Sequence, residues 1–241
     1  MPVNKQLGRW LCMAALACAG GVAAESIITM SPATTIAEAR LVDIRQLVPD
    51  IMEDIKYAGS DNFVGAPVDG YLAPKCFLLR PAAEALARVE RDLRPLHRRL
   101  QLFDCYRPAR ASRHFVRWAA DPADQHTKAA HYPDIDKRDL MGDYIAPLSG
   151  HSRGATVDLT IIQCNENDER CAPLDMGTIF DFFGTRANTD SPLATPAQHA
   201  NRALLREAME REGFRNYAME WWHYSLSPEP TPGVVYNVPV Q

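Results

Sequence analysis

The stretch Ser149–Ile161, SGHSRGATVDLTI, carries residue types for two incompatible chemistries. Gly150-His151-Ser152-Arg153-Gly154 spells G-x-S-x-G, the signature of a serine nucleophile elbow. Ser152, Asp181 and His223 then follow in the chain order that such hydrolases use. Alternatively, His151 and Asp158 are two ligands of a metal site, and His223 in EWWHY supplies the third. A catalytic zinc commonly takes three protein ligands and keeps one position for water. Glu220, three residues before His223, would then be free to act as general base on a water whose pKa the metal lowers to about 7. Each fragment alone is unspecific: H-x6-D commonly pairs a turn histidine with a surface aspartate, and E-x-x-H occurs on any helix.

The flanking elements favour the metal. An elbow needs a strand before the serine and a helix after it. Here YIAPLSG before Ser152 reads as loop, and ATVDLTII after it, rich in β-branched residues without helical spacing, reads as strand. Upstream, a helix is expected over Pro81–Leu96, with proline suited to the first turn and Leu86, Val89, Leu93 and Leu96 on one face. RRLQLFDCYRP follows as a short strand ending in a proline-marked turn, and ARASRHFVRWAAD as a helix. Asp121–Ser149 is a long excursion, of a length usually functional or mobile. A further helix is expected over Pro196–Glu212, capped by Thr195 and stopped by Gly213, before an aromatic-rich strand FRNYAMEWWHYSL. Helices early and late around a few strands, without βαβ alternation, indicate a single α+β domain.

Lys5 and Arg9, the apolar run Trp10–Val22 and the small residues before Glu25 read as a signal peptide over residues 1–24, followed by a loosely structured leader (25–41) and the folded domain (42–241). The run falls short of the roughly 20 residues of a membrane span, and a lipoprotein reading through Cys18 fits less well. Export to the periplasm is expected, with no stable membrane span after cleavage. Loss of Lys5 and Arg9 makes the chain more acidic than its full-length net charge of -4, and no basic stripe interleaved with aromatics speaks for nucleic acid. Cys76, Cys105, Cys164 and Cys171 remain, and an even number in an exported chain favours disulfides, with three pairings open. Cys164–Cys171 closes a short polar loop and is favoured, leaving Cys76–Cys105 by elimination. Zinc binding by these cysteines lacks any C-x-x-C pair, and buried free thiols are the bland alternative.

Taken jointly and in order, DIKYAGSDNFVG, DCYRP, SGHSRGATVDLT and EWWHY resemble the zinc D-alanyl-D-alanine dipeptidases, the VanX-like enzymes of peptidase family M15, from about Val42 to the C-terminal region. The resemblance implies a small antiparallel sheet flanked by helices, in a Hedgehog/DD-peptidase-like zinc peptidase fold. It implies one Zn2+ per chain on His151, Asp158 and His223, Glu220 as base, and Arg107 stabilising the tetrahedral intermediate. Such a guanidinium helps most where charge develops. Asp181 matches the carboxylate associated with the substrate's free amino group, and Tyr57, Tyr71, Asp104 and Ser149 match positions lining or supporting the pocket. The implied substrate is the small D,D-dipeptide D-Ala-D-Ala. A buried carboxylate at Asp181 would favour a free amino terminus over a blocked one, because an unpaired buried charge is costly. An exposed Asp181 would point instead to a D,D-carboxypeptidase or endopeptidase on wall peptides.

Two residues depart from the family pattern. Cys105 stands where glycine is more usual, in the turn presenting Arg107, and Gly150 replaces a small hydroxyl residue before the metal histidine. A signal peptide also departs from cytoplasmic relatives and suggests wall turnover or nutrient recovery. The other histidines have no assigned chemistry: His97 sits at a helix end, His114 and His199 lie on helices, and His126 and His131 are expected to be solvated in the excursion. A non-catalytic wall-binding relative would have little reason to keep Glu220.

Overall fold

The strand Thr156–Cys164 alternates polar and apolar residues from Thr156 to Ile161, yet both of its faces are buried along almost the whole length. The computed structural model describes residues 1, 28–168 and 170–241, so the expected signal segment lies, apart from Met1, outside the described residues. In chain order the strands and helices begin with β1 (Thr29–Met30), β2 (Leu41–Asp43), β3 (Met52–Glu53), β4 (Phe77–Leu79), α1 (Arg80–Leu93), β5 (Arg98–Asp104), α2 (Ala109–Ala119) and α3 (Lys128–His131). They continue with β6 (Thr156–Cys164), β7 (Cys171–Pro173), α4 (Pro196–Arg211), β8 (Phe214–Asn216), β9 (His223–Leu226) and β10 (Val234–Val235).

The main sheet runs β3-β5-β6-β9-β8, with β7 paired to the far end of β6. It is mixed, which corrects the expectation of an antiparallel sheet: β5, β6, β9 and β8 are antiparallel neighbours, but β3 lies parallel to β5. A parallel return needs a crossover of a dozen or more residues, and the chain between β3 and β5 supplies it through β4 and α1. In the stretch read as a leader, β1 pairs with β10 and Ala39 is buried.

Helix α1 buries Leu86, Val89 and Leu93 but ends earlier than expected. Pro95 has no N–H to continue the ladder, so Arg94–Leu96 forms a 3-10 turn and Leu96 turns out to solvent. The α4 cap is a reciprocal box between Thr195 and Gln198, and Gly213 follows the helix at φ 89°, a conformation that glycine takes without steric cost. Both favoured pairings of the cysteine set are present: Cys76 is bonded to Cys105 and Cys164 to Cys171.

FRNYAMEWWHYSL is not one strand. It is the β8–β9 hairpin, with 217–222 as its connecting turn, because Asn216 donates its side-chain N–H to the carbonyls of both Glu220 and His223 and closes the loop. The excursion 121–149 is also more ordered than a mobile loop. It contains α3 and a 3-10 turn at Lys137–Leu140, and it buries Tyr132, Lys137, Leu140 and Ile145. The Lys137 ammonium lies 3.9 Å from the centre of the Trp118 ring.

A buried carboxylate ties α1 to the sheet. Glu90 is 1 % exposed and accepts hydrogen bonds from the Leu100 backbone N–H and from Arg94 and Arg99. Replacing it by alanine leaves the Leu100 N–H buried without a partner. Glu90→Ala is expected to lower stability by about 2 kcal/mol, read as a lower urea midpoint at unchanged slope.

Candidate metal centre and active site

Sheet register brings the reactive residues together. Asp158 on β6 is the cross-strand partner of His223 on β9 and, on its other side, of Asp104 on β5. Directly opposed residues share a face, so Asp104, Asp158 and His223 form one row. Asp104 joins it only because the β5–β6 register shifts by one residue after Leu102; an unbroken ladder would set Asp104 against Val157. His151 comes from the 3-10 turn Gly150–Arg153 immediately before β6, whose N-cap Ser149 accepts from the His151 N–H. The turn ends at Gly154, φ 74°, where a Cβ would stand 2.8 Å from the Leu41 side chain. Gly150 is also closely packed, since a Cβ there would lie 3.1 Å from Thr156 Oγ1.

The three candidate ligands converge. One ligand atom from each of His151, Asp158 and His223 lies within 4.8 Å of the others. His151 Nε2 is 3.1 Å from Asp158 Oδ2 and 3.2 Å from His223 Nδ1, which is 3.0 Å from Asp158 Oδ1. Asp158 Oδ1 is buried and has no hydrogen bond of acceptable geometry despite its histidine neighbour. An acceptor directed at a shared point instead of at a donor is what a cation ligand requires. His151 Nδ1 lies 2.7 Å from the Cys105 carbonyl; an Nδ1–H donating there leaves the Nε2 lone pair facing the centre. The set therefore fits a divalent cation.

Glu220 Oε2 stands 3.5 Å from His223 Nδ1 at the edge of this cluster. Its carboxyl is pushed up to about 7, first by burial and then by the Asp158 charge, while His223 and Arg107 pull it back. That range suits a proton carrier near neutral pH. For Asp158 burial opposes the charge, yet His151 and then His223 hold its carboxyl well below the ordinary range. Glu220 belongs to the β8–β9 turn and not to a helix.

Arg107 is held from several sides. Its guanidinium bonds Asp104 Oδ2 through Nε (2.9 Å) and Nη2 (2.8 Å), and Nη2 also lies 3.6 Å from Asp158 Oδ2. The Tyr57 and Phe115 rings lie about it at 4.9 and 5.0 Å, and Ser149 Oγ is 3.5 Å from Nη1. Tyr71 donates to the other Asp104 oxygen at 2.5 Å. Asp181 is buried, at 6 % exposure, and accepts from the Tyr57 hydroxyl at 2.9 Å. Burial first, and the Asp158 charge second, raise its carboxyl well above the ordinary range.

A cleft of about 250 Å³ is lined by Tyr57, Arg107, Ser149, His151, Asp158, Asp181, Glu220 and His223. Tyr71 and Asp104 are not on its surface and stand behind Arg107. Residues 142–149 of the excursion form one wall. Ser152, the serine of the elbow reading, is fully buried in a turn that precedes a strand, and its hydroxyl has no hydrogen-bond partner. No histidine activates it, and the elbow reading fails there. His131, expected to be solvated, is half-buried with Nδ1 2.9 Å from the Asp181 carbonyl. No local pattern signals that contact, because fifty residues separate the partners. His126 is exposed beside Asp124, as its loop position suggests.

The family profile described as D-Ala-D-Ala dipeptidase, peptidase M15, matches residues 37–241. The chain is 41% identical over 198 residues to a D-alanyl-D-alanine dipeptidase of Streptomyces coelicolor, covering 82% of this chain and 96% of the relative. It is 38% identical over 196 residues to one of Enterococcus faecalis (81% and 95% covered), and 33% identical over 186 residues to one of Escherichia coli K12 (77% and 84% covered).

His151→Ala and Asp158→Ala are each expected to abolish tight binding of a single divalent ion, measured by titrating metal against a chromogenic chelator. The Cys76–Cys105 bond pins the turn whose carbonyl orients His151. Cys76→Ser with Cys105→Ser keeps that carbonyl but frees its turn, and should weaken metal binding by about tenfold, the lower end of the cost of disturbing an outer-shell partner.

Proposed function

The chain belongs to the D-Ala-D-Ala dipeptidase family, peptidase M15, and from that membership we propose that it is a zinc-dependent dipeptidase splitting D-Ala-D-Ala into two D-alanines. It is a metallopeptidase of this family. The observation that carries the reading is the meeting of His151, Asp158 and His223 around one point, with Glu220 beside them and a buried Asp181 in the same cleft. We further take the domain, residues 42–241, to have the Hedgehog/DD-peptidase-like fold of this family; the mixed sheet with four helices is compatible with it.

Two imidazoles and one carboxylate favour zinc among the divalent ions. When bound, the metal acts as a Lewis acid toward water and the peptide carbonyl. The remaining work falls to side chains of this chain. Glu220 accepts a proton from the attacking water and returns it to the leaving amine nitrogen, so that the base becomes the acid of the second half-step. The Arg107 guanidinium, immobilised by Asp104 and the aromatic rings, faces the cleft with its charge fixed before the oxyanion forms. Asp181 and the Tyr57 hydroxyl receive the substrate's ammonium, whose charge stabilises the carboxylate that burial alone disfavours.

The small cleft supports a dipeptide over a longer wall peptide: about 250 Å³ lies below the roughly 300–1,000 Å³ of drug-sized pockets. A buried Asp181 penalises a blocked amino terminus in the same direction. Residues 1–24 support export, which would let a periplasmic enzyme meet D-Ala-D-Ala released from wall material, in turnover or recovery.

Hydrolysis of D-Ala-D-Ala should vanish on chelation and return with added zinc, while N-acetyl-D-Ala-D-Ala remains a poor substrate. Equal turnover of the acetylated dipeptide would shift the assignment to a D,D-carboxypeptidase. Glu220→Ala is expected to keep the metal and lose about 10²–10⁴-fold in kcat, measured by D-alanine release alongside metal content.

A further inference from the structure

We propose that His131 is a positioning residue for substrate recognition, holding the Asp181 backbone so that its carboxylate meets the dipeptide's ammonium. The proposal rests on Asp181 reading that ammonium, as set out above. Asp181 has φ 57°, in the left-handed region that few residues other than glycine adopt, although aspartate tolerates it better than most. A side chain launched from such a backbone keeps its direction only while the surroundings hold the conformation.

The hold comes from α3. His131 Nδ1 lies 2.9 Å from the Asp181 carbonyl, and the His131 carbonyl accepts from the Phe183 N–H at 2.7 Å. One residue of the excursion thus grips the chain at Asp181 and again two residues later. The other side-chain ties of this loop act farther away. Trp221 Nε1 donates to Thr178 Oγ1, and the buried Arg202 guanidinium donates to the carbonyls of Met176, Arg186 and Asn188. The Asp181 carboxylate itself accepts from Tyr57, which orients the side chain but does not fix the peptide plane. Burial lowers the proton affinity of the His131 ring, so near neutral pH the imidazole is uncharged and its single proton belongs on Nδ1.

His131→Ala removes the donor and leaves every cleft-lining side chain chemically unchanged, since His131 is not itself among them. It should raise KM for D-Ala-D-Ala by about tenfold, the scale of one lost hydrogen bond to a buried carbonyl. It should leave kcat within about threefold and metal content unchanged. Selectivity for the free over the N-acetylated dipeptide, as a ratio of kcat/KM, should fall by the same factor. An asparagine amide places Nδ2 where the ring holds Nδ1, so His131→Asn should restore KM and selectivity, whereas His131→Gln, with its donor one bond farther out, should not. If the alanine variant does not fold, the asparagine and glutamine variants, matched for thermal midpoint, carry the comparison. Equal KM and selectivity in those two, or an unchanged ratio in His131→Ala, overturns the proposal. Asp181→Asn separates the two levels. If it leaves the ratio intact, the ammonium reading itself fails; if it collapses the ratio while His131→Ala does not, only the role of His131 fails.

Discussion

The register of β6 between β5 and β9 is the constraint on which the site depends. It places Asp158 opposite Asp104 on one side and His223 on the other, and a slip of one residue would turn Val157 to the cleft in its place. Val157, Leu159 and Ile161 belong to the hydrophobic core, so such a slip would also exchange apolar side chains for Asp158 and Thr160. The core thereby fixes the geometry of the candidate metal ligands. The one-residue shift on β5 adds Asp104 to the row, and through it Arg107 and Tyr71 are brought into place.

The charge balance around this row explains why a cation is called for. Asp104, Asp158, Asp181 and Glu220 lie close together in largely buried surroundings, with Arg107 as the fixed positive side chain among them. Burying that many carboxylates against one guanidinium is unfavourable unless protons or a metal supply the missing charge. The protein divides the task. Asp158 stays ionised between two histidines, whereas Glu220 and Asp181 are pushed toward the protonated form by burial. These unequal environments suit neighbouring carboxyl groups to the different duties proposed for them within one small cleft: ligand, proton carrier and receptor for a positive substrate group.

The elements around the sheet act mainly as holders. The Cys76–Cys105 bond secures the turn that supplies both the Cys105 carbonyl and Arg107. Asn216 closes the turn that carries Glu220 and His223, and the excursion supplies a wall of the cleft as well as the His131 contact. The connecting segments are thus the more specialised parts, set on a sheet whose register they exploit.

Much of this was legible in the residues alone, because it rests on local chemistry. Thr195 and Gly213 bracket α4, β-branched residues mark β6, and His151, Asp158, His223 and Glu220 are of the types a hydrolytic metal site uses. The surrounding elements were enough to weigh Ser152 down as a nucleophile, since strand and loop order is a local property. What only the tertiary structure decided is long-range: the parallel β3–β5 pair, the folding of FRNYAMEWWHYSL into a hairpin, the β5 register shift, and the contact of His131 with Asp181. All but the hairpin join segments far apart in the chain, and the hairpin is closed by side-chain hydrogen bonds of Asn216; neither periodicity nor propensity reports such pairings. Sequence supplied the donors and acceptors; packing determined which of them face one another.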